Sequence, residues 1–241
     1  MKKIKNDVLP HGKNKLSLIQ LLESFYHVRT TKDLLKSLRD DVVATFFLNS
    51  GTGIILSFIK GVYFSLFLKL KPPVMIGKRF KIINYSNINI GKNLWVKDDV
   101  TMLAGGKLNI GNGCVFCDRS SIWSGKEGLT MGDACSLGIN GYICGSEGKI
   151  TIGNSVIMAD NTRLYSWNHK MSTKGKEFSN IATTHKGIVI GNNCWLGSGC
   201  VILDGVTLGN NCVVGAGTIV TKSFPKNSLI VGVPARLVKR L

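Results

Sequence analysis

Residues 188–220 read IVIGNNCWLGSGCVILDGVTLGNNCVVGAGTIV, and an aliphatic side chain returns at every sixth position. The repeating residues are Ile190, Leu196, Ile202, Leu208, Val214 and Val220, and a smaller or branched residue stands two positions before each. A helix would give a period of 3.6 and a single strand a period of 2, so neither explains the pattern. A period of six predicts a solenoid of triangular coils, in which each hexad forms one side and turns one aliphatic residue inward.

The same pattern extends toward the N-terminus. Ile-Gly or Met-Gly pairs begin at Ile76, Ile90, Ile110, Met131 and Ile152. Most are close to three hexads apart, with a few extra residues, whereas the distance from Ile152 to Ile190 is about twice as long. We therefore predict a mainly β solenoid over residues 72–233, with a loop inserted at residues 165–187.

Four cysteines stand at the fourth position after these aliphatics: Cys114, Cys135, Cys194 and Cys212. Stacked coils would place them in one internal column, where a free thiol behaves as a small hydrophobic group. The alternative, a metal ligand or catalytic thiol, requires polar or charged surroundings. The chain has one CxxC pair, Cys114 and Cys117, without the second pair of a zinc site, and it has no secretory signal, so we expect reduced thiols, no metal and a cytoplasmic protein.

The N-terminal extension, residues 1–71, has a different pattern. Residues 16–25 and 33–48 carry apolar side chains at helical spacing, and residues 54–70 (IILSFIKGVYFSLFLKL) are strongly apolar around Lys60. Three interpretations of the last stretch stay open: a helix packed on the solenoid or a partner subunit, a helix in a membrane interface, or a membrane span. An interfacial helix would add a peripheral position at the inner face of the membrane.

The net charge of +17 requires a partner or a location. Lysines are dense before residue 82 and return in a basic tail at residues 234–241. No nucleic-acid-binding motif is present, so we expect no nucleic-acid partner. An anionic membrane and an anionic small molecule remain as explanations of the charge.

The stretch from Ile188 to Arg236, above all its phrases GAGTIVTKSFP and VGVPARLVKR, resembles the hexapeptide-repeat acetyltransferases. Within that family it is most similar to the maltose/galactoside and polysaccharide O-acetyltransferase branch. The resemblance extends through the repeats over residues 74–239 and does not include residues 1–71. It implies a left-handed parallel β-helix, a homotrimer with active sites between subunits, and acetyl-CoA as the donor.

Acetyl transfer to a hydroxyl requires a base, and histidine commonly serves as one. Outside the extension the chain has two histidines, His169 and His185. The resemblance assigns the catalytic role to His169, at the beginning of the inserted loop, and leaves His185 as an acceptor-binding candidate. Asn140 matches a substrate-contacting asparagine of galactoside-type relatives, although an ordinary turn residue is an equal interpretation.

The orienting partner of the His169 imidazole stays open between Asn140, Asp160 and Glu147. For the donor, the resemblance assigns the oxyanion-binding N–H to Ser198, because such a preorganised amide stabilises the charge that develops on a thioester carbonyl. It also places Ala216 beside the pantetheine. The remaining donor residues would meet the lower pantetheine and the phosphates, which favour fixed cations; they are Thr221, Lys222, Arg236 and Lys239.

Aromatic residues flank the predicted cleft. Trp195 stands between the inward Cys194 and Leu196, so its ring should point outward and be available to a sugar or an interface. Trp167 and Asn168 belong to the SWNHK phrase that contains the catalytic candidate. Together with Asp160 and His185, these residues form the predicted acceptor site.

We therefore predict an acetyl-CoA-dependent O-acetyltransferase that acts on a sugar hydroxyl of a surface polysaccharide or its precursor. One alternative is N-acetylation of an amino-sugar nucleotide or O-acetylation of a small molecule. A non-enzymatic binding or structural solenoid is the third, because a fold alone does not establish a function.

Overall fold

A computed structural model describes residues 58–63, 65, 73–170 and 182–241 of the chain. Over these residues the chain is almost entirely β and forms a parallel solenoid, which confirms the predicted fold class. The helices predicted over residues 16–25 and 33–48 lie outside the described residues, as does most of the apolar stretch.

Successive strands join three sheets in turn, so each coil contributes one strand to each side of a triangle. Sheet A contains β1 (Val74–Ile76), β4 (Leu94–Val96), β7 (Val115–Phe116), β10 (Ser136–Leu137), β13 (Ile157–Met158), β18 (Trp195–Leu196), β21 (Val213–Val214), β23 (Ser228–Val231) and β24 (Arg236–Arg240). Sheet B contains β2 (Lys81–Ile83), β5 (Thr101–Ala104), β8 (Ser121–Ser124), β11 (Tyr142–Gly145), β14 (Arg163–Tyr165), β19 (Val201–Ile202) and β22 (Ile219–Val220). Sheet C contains β3 (Ile88–Ile90), β6 (Leu108–Ile110), β9 (Leu129–Met131), β12 (Ile150–Ile152), β17 (Ile188–Ile190) and β20 (Thr207–Leu208).

Each side of the triangle turns two side chains inward rather than one. The repeating aliphatic and the smaller residue two positions earlier are both buried, as Leu196 and Cys194 illustrate, while Trp195 between them is 55% exposed. Alternation along a short strand produces this arrangement, because successive side chains point to opposite faces. Each fully buried aliphatic side chain contributes about 1.5–3 kcal/mol, so the stacked columns hold the coils together.

The predicted cysteine column is confirmed. Cys114, Cys135, Cys194 and Cys212 are buried, and each thiol contacts a backbone carbonyl of the following coil; the Cys135 Sγ, for example, lies 3.1 Å from the Gly153 oxygen. Burial raises the pKa of Cys194 to about 11. These thiols fill the core.

The corner between sheets C and A is tied by side chains. Asp133 Oδ1 accepts a 2.7 Å hydrogen bond from the Asn112 N–H one coil earlier, and Asn154 and Asn192 repeat the contact in later coils. A glycine stands directly before each of these asparagine and aspartate residues. A larger residue would collide with the tie of the next coil, since a Cβ at Gly111 would lie 2.3 Å from Asp133 Oδ1. The repeated Gly-Asn pairs of the sequence are therefore corner ties.

The corner between sheets B and C takes up the extra residues. Segments 105–107, 125–128 and 146–149 connect the two sheets in successive coils, and the long insertion leaves at the same corner. This confirms that the extra length lies at one corner.

The two ends of the solenoid differ. At the C-terminus the predicted basic tail forms β24, which pairs antiparallel with β23. At the other end, helical residues 58–63 lie against the first coil, with Lys60 buried and Phe58 and Ile59 exposed. In the described part of the chain, no helix has the length and apolar character needed to cross a membrane.

Candidate active site

The base candidate lies on a β-ribbon rather than on an irregular loop. Strand β15 (Asn168–His169) pairs antiparallel with β16 (Thr183–Thr184), and His169 lies opposite Thr183 in the register. The Lys170 N–H donates a 2.9 Å hydrogen bond to the Ala182 carbonyl and extends the ribbon by one step. The ribbon leaves the solenoid at the B–C corner, and His169 is exposed on it.

The root of the ribbon rests on the preceding coil. Ser166 Oγ donates a 2.7 Å hydrogen bond to the Gly148 carbonyl, and the Ile188 N–H donates a 2.9 Å bond to the Lys149 carbonyl. The insertion therefore departs after Ser166 and rejoins at Gly187. It begins two residues later than the predicted loop of residues 165–187, because Tyr165 belongs to β14.

The imidazole of His169 packs against Trp167. The ring centroids are 5.2 Å apart with an interplanar angle of 75°, an edge-to-face arrangement worth about 0.5–1.5 kcal/mol. The Trp167 indole nitrogen is buried and has no hydrogen-bond partner among the described residues. Trp167 therefore limits the position of His169 from the side of the solenoid.

Neither carboxylate considered as the orienting partner contacts His169. The Glu147 carboxylate lies at the same corner, but it contacts Thr183 and His185 of the second ribbon strand and its continuation. Asp160 lies at the corner between sheets A and B, where its Oδ1 accepts a 2.8 Å hydrogen bond from the Ile139 N–H.

Asn140 also lies at the A–B corner, one coil before Asp160. Its backbone has a φ of 54°, the left-handed region that asparagine tolerates better than most residues. Its Oδ1 accepts a 2.9 Å hydrogen bond from Arg119 Nε, and its Nδ2 lies 3.5 Å from Asn161 Oδ1. Asn140 is thus one step in a ladder of turn residues, so both interpretations made from the sequence remain open.

The N–H of Ser198, like those of Asp118 and Asp160, lacks the side-chain acceptor that other coils supply at this corner. In three coils an aspartate accepts a hydrogen bond from the N–H one coil earlier: Asp98 does so from Lys78 at 2.8 Å, Asp118 from Asp98, and Asp160 from Ile139. The residue in that place above Ser198 is Ala216, which has no side-chain acceptor. Among the described residues, no hydrogen bond is formed by the Ser198 N–H. Flanked by Gly197 and Gly199, this amide can receive a ligand oxygen.

Within one chain the predicted site residues fall into two groups at opposite ends of sheet B. His169, His185, Trp167, Asn168, Thr221 and Lys222 lie at the B–C corner, and Asn140, Asp160, Ser198 and Ala216 lie at the A–B corner. About four extended residues separate the corners, roughly 13 Å at ~3.3 Å per residue. Three predicted residues lie apart from both groups on sheet A: Trp195 on β18, and Arg236 and Lys239 on β24.

An apolar outer face on sheet A was not predicted from the sequence. The outward positions of its strands follow one another in register from coil to coil. These positions carry Met75, Trp95, Val115, Ser136, Ile157, Trp195, Val213 and Leu229. The matching positions of sheet C are mostly polar: Asn89, Asn109, Thr130, Thr151, Val189 and Thr207. The sequence could have revealed this face, because the residue between the two inward positions of a hexad is the outward one.

Across the residues that the structure describes, no group of three or more His, Cys, Asp or Glu side chains is placed to hold a metal ion.

Tyr142 and Tyr165 lie side by side on the outer face of sheet B, with ring centroids 5.8 Å apart. Burial, followed by the neighbouring Cys144, raises the pKa of Tyr142 above its ordinary value.

Comparison with known proteins agrees with this architecture. Residues 187–222 match the family model described as bacterial transferase hexapeptide (six repeats). The galactoside O-acetyltransferase of Escherichia coli is 31% identical over 173 residues, which cover 70% of this chain and 71% of that protein. A putative lipopolysaccharide biosynthesis O-acetyl transferase of the same organism, WbbJ, is 32% identical over 42% of this chain and 56% of its own length. The chain therefore belongs to the hexapeptide-repeat acetyltransferase family.

The solved structures show the same fold. A mutant of AntD, an N-acyltransferase from Bacillus cereus, was solved with dTDP-4-amino-4,6-dideoxyglucose and coenzyme A. It matches with a TM-score of 0.57 at 22% identity, over 63% of this chain and 82% of that one. The chain spans a little under half the length of several other curated relatives that it matches.

Proposed function

We propose that this protein is an acetyl-CoA-dependent O-acetyltransferase that acetylates a sugar hydroxyl, with His169 as the general base. The observation that carries the proposal is the free Ser198 N–H between Gly197 and Gly199, which has no acceptor among the described residues because Ala216 stands where three other coils have an aspartate. Membership in an acetyltransferase family that includes a galactoside O-acetyltransferase supports the reaction class.

The proposed chemistry uses one side chain and one backbone amide. His169 accepts the proton of the acceptor hydroxyl as its oxygen attacks the thioester carbonyl, a contribution of roughly 10²–10⁴-fold. The Ser198 N–H donates a hydrogen bond to the carbonyl oxygen as negative charge develops, which is worth about 10²–10³-fold for one such donor. The thiolate of CoA leaves, and the proton held by the imidazole can neutralise it.

These two groups lie at opposite corners of one chain, so we propose that the active site forms between copies. A neighbouring copy would bring the A–B corner of one chain to the B–C corner of the next. The apolar outer face of sheet A supplies a surface that favours burial, and exposed Ile157 and Trp195 lie on it. A homotrimer with three such contacts is the arrangement we propose.

Residues around the two corners would bind the substrates. We propose that Ala216 lies beside the pantetheine and that Thr221, Lys222, Arg236 and Lys239 meet the lower pantetheine and the phosphates, which favour fixed cations. Gly217 borders open space from which a ligand can approach, because a Cβ built there would meet nothing within 4 Å. Trp167, Asn168 and Trp195, with His185 and Asp160, would line the acceptor site.

We propose a surface polysaccharide or its lipid-linked precursor as the acceptor. The lipopolysaccharide relative supports this class. The net charge of +17 and the exposed Phe58 and Ile59 of the N-terminal helix also favour contact with an anionic membrane at its inner face. Vesicles with and without anionic lipid would test the contact, and equal binding to both or to neither would contradict it.

The central experiment is turnover of His169→Ala beside His185→Ala, with CoA release measured over a panel of sugars. We expect the first variant to lose at least ~100-fold in kcat, and the second, at an acceptor-binding position, to act mainly by raising KM for the acceptor. Near-wild-type turnover by His169→Ala would contradict the mechanism. N-acetylation is the alternative, and a preference for amino-sugar nucleotides over hydroxyl acceptors in the same panel would establish it.

A further inference from the structure

We infer that Glu147 is a positioning residue for His169 and acts through Thr183. The inference rests on the proposed role of His169 as the base, and it identifies what holds that base in place. Glu147 belongs to the connection after β11, one coil before the ribbon, so it belongs to the solenoid and not to the insertion. It is therefore a fixed point from which the ribbon can be held.

The contacts form a short chain. Thr183 Oγ1 donates a 2.6 Å hydrogen bond to Glu147 Oε2. Thr183 is the residue directly opposite His169 in the antiparallel register of β15 and β16. A displacement of Thr183 therefore moves His169, because two paired residues of so short a ribbon shift together.

Glu147 is itself held where the ribbon begins and ends. The next residue, Gly148, lies against both ends of the insertion, since a Cβ there would be 2.2 Å from the Ser166 oxygen and 3.0 Å from the Gly187 nitrogen. The Ser166 hydroxyl bonds the Gly148 carbonyl at 2.7 Å. The carboxylate therefore extends from backbone that is fixed on both sides, and its charge strengthens the bond from Thr183.

The same carboxylate oxygen lies 3.6 Å from His185 Nδ1. Both side chains are about half exposed, so an ion pair between them would contribute little by itself. Its effect is to add a second contact between Glu147 and the residues that follow β16. His185 therefore acts together with Glu147, while His169 stays free to reach the acceptor.

The test compares Thr183→Val, Glu147→Ala and Glu147→Gln with a matched control, Thr184→Val. Thr184 lies on the same strand and is equally half-buried, but its hydroxyl makes only a 3.4 Å contact with the Asn168 carbonyl. We expect Thr183→Val and Glu147→Ala to lower kcat by about 10- to 100-fold, since a misplacement of about 1 Å has an effect of that size. KM for acetyl-CoA should stay within about twofold, as the donor residues are untouched.

Two further results complete the test. Glu147→Gln should recover most of the activity, because its amide oxygen still accepts a hydrogen bond from Thr183. The double variant Thr183→Val/Glu147→Ala should be no worse than either single variant, as expected when both remove one interaction. Thr184→Val should stay within about twofold of the wild type, because the contact that it removes is weak.

Several outcomes would overturn the inference. They are equal activity of Thr183→Val and Thr184→Val, multiplicative losses in the double variant, or a change confined to KM. A fall in melting temperature that matches the loss of activity would indicate a purely structural role and would also overturn it. Activity retained by His169→Ala would instead contradict the assignment of the base. The Glu147 and Thr183 variants do not test that assignment, so the two failures can be told apart.

Discussion

Gly148 and Ser166 touch where the chain leaves the solenoid, and a Cβ on Gly148 would lie 2.2 Å from the Ser166 carbonyl oxygen. Both residues meet here through their backbones, so neither can turn aside as a flexible side chain would. The close approach lets the Ser166 hydroxyl reach the Gly148 carbonyl and sets the level at which the ribbon departs.

Gly148→Ala should therefore destabilise the protein by about 1–3 kcal/mol and lower kcat by more than about tenfold. Urea unfolding and steady-state kinetics would measure the two effects. Gly145→Ala is the matched control, because its Cβ would lie 3.2 Å from the Trp123 oxygen, a much milder approach that requires a shift of only a few tenths of an ångström. Equal stability and activity of the two variants would show that the close approach of Gly148 to Ser166 tolerates a methyl group.

Ala216 leaves the Ser198 N–H free, so restoring an acceptor there should inactivate the enzyme. In Ala216→Asn the side-chain oxygen can bond this amide as Asp160 bonds Ile139. We expect a loss of about 10²–10³-fold in kcat with no loss of stability. Ala216→Leu has a similar shape and no acceptor, and its kcat should fall less. If both variants lose equally, steric contact and not the amide explains the effect.

Asn140 and Asn161 occupy the same place in successive coils, with φ angles of 54° and 58°. Replacement by glycine keeps this backbone conformation and removes only the side chain. We expect Asn140→Gly to lower kcat/KM for the acceptor by more than about tenfold, whereas Asn161→Gly should stay within about twofold. Acceptor-dependent kinetics would measure this. Equal small losses would show that Asn140 serves only the ladder with Arg119.

Ile157 on sheet A and Val189 on sheet C are both exposed, at 54% and 44%. If sheet A packs between copies, Ile157→Lys places a charge in that contact and should dissociate the trimer and abolish activity. Val189→Lys should leave both unchanged. Light scattering coupled to gel filtration would measure the mass of each variant. A stable, active trimer of Ile157→Lys would exclude this face as the contact.

Among the seven cysteines, Cys117 should react first with a thiol reagent, because it is half-buried while the other six are buried. Burial raises the pKa of Cys194 and of Cys200 to about 11, so only about one in a thousand is ionised at about pH 8. Burial also raises the pKa of Cys117, and nearby Lys97 opposes that shift. Disulfide-exchange kinetics of Cys117→Ser should lack the fast phase; an unchanged fast phase would contradict the assignment.

Most of the fold was predictable because a period of six is incompatible with helices and simple strands. The repeat identified the inward residues, the cysteine column and the outward Trp195. It also located the extra residues at one corner. The strand character of the basic tail was missed, because β24 pairs antiparallel and has no hexad pattern.

The site was less predictable, because its contacts depend on side chains far apart in the sequence. Residues Glu147 and Thr183 are separated by more than a coil, and only the crossing at Gly148 brings them together. The family resemblance pointed to the Ser198 amide, but that this amide has no acceptor follows from the side chain of Ala216 one coil later. The division of the site residues between the A–B and B–C corners could have been predicted by counting residues along each coil.

Every change in coil length is taken up where sheet B passes to sheet C, while the other two corners keep a constant number of residues. That edge can therefore gain or lose whole segments without shifting the hydrogen-bonded register of the rest. The solenoid of sheets A, B and C thus forms a fixed frame, and the insertion at the B–C corner is the part that can vary. Under the proposed function, a ribbon of another length between Ser166 and Gly187 should change the acceptor site and leave the frame intact.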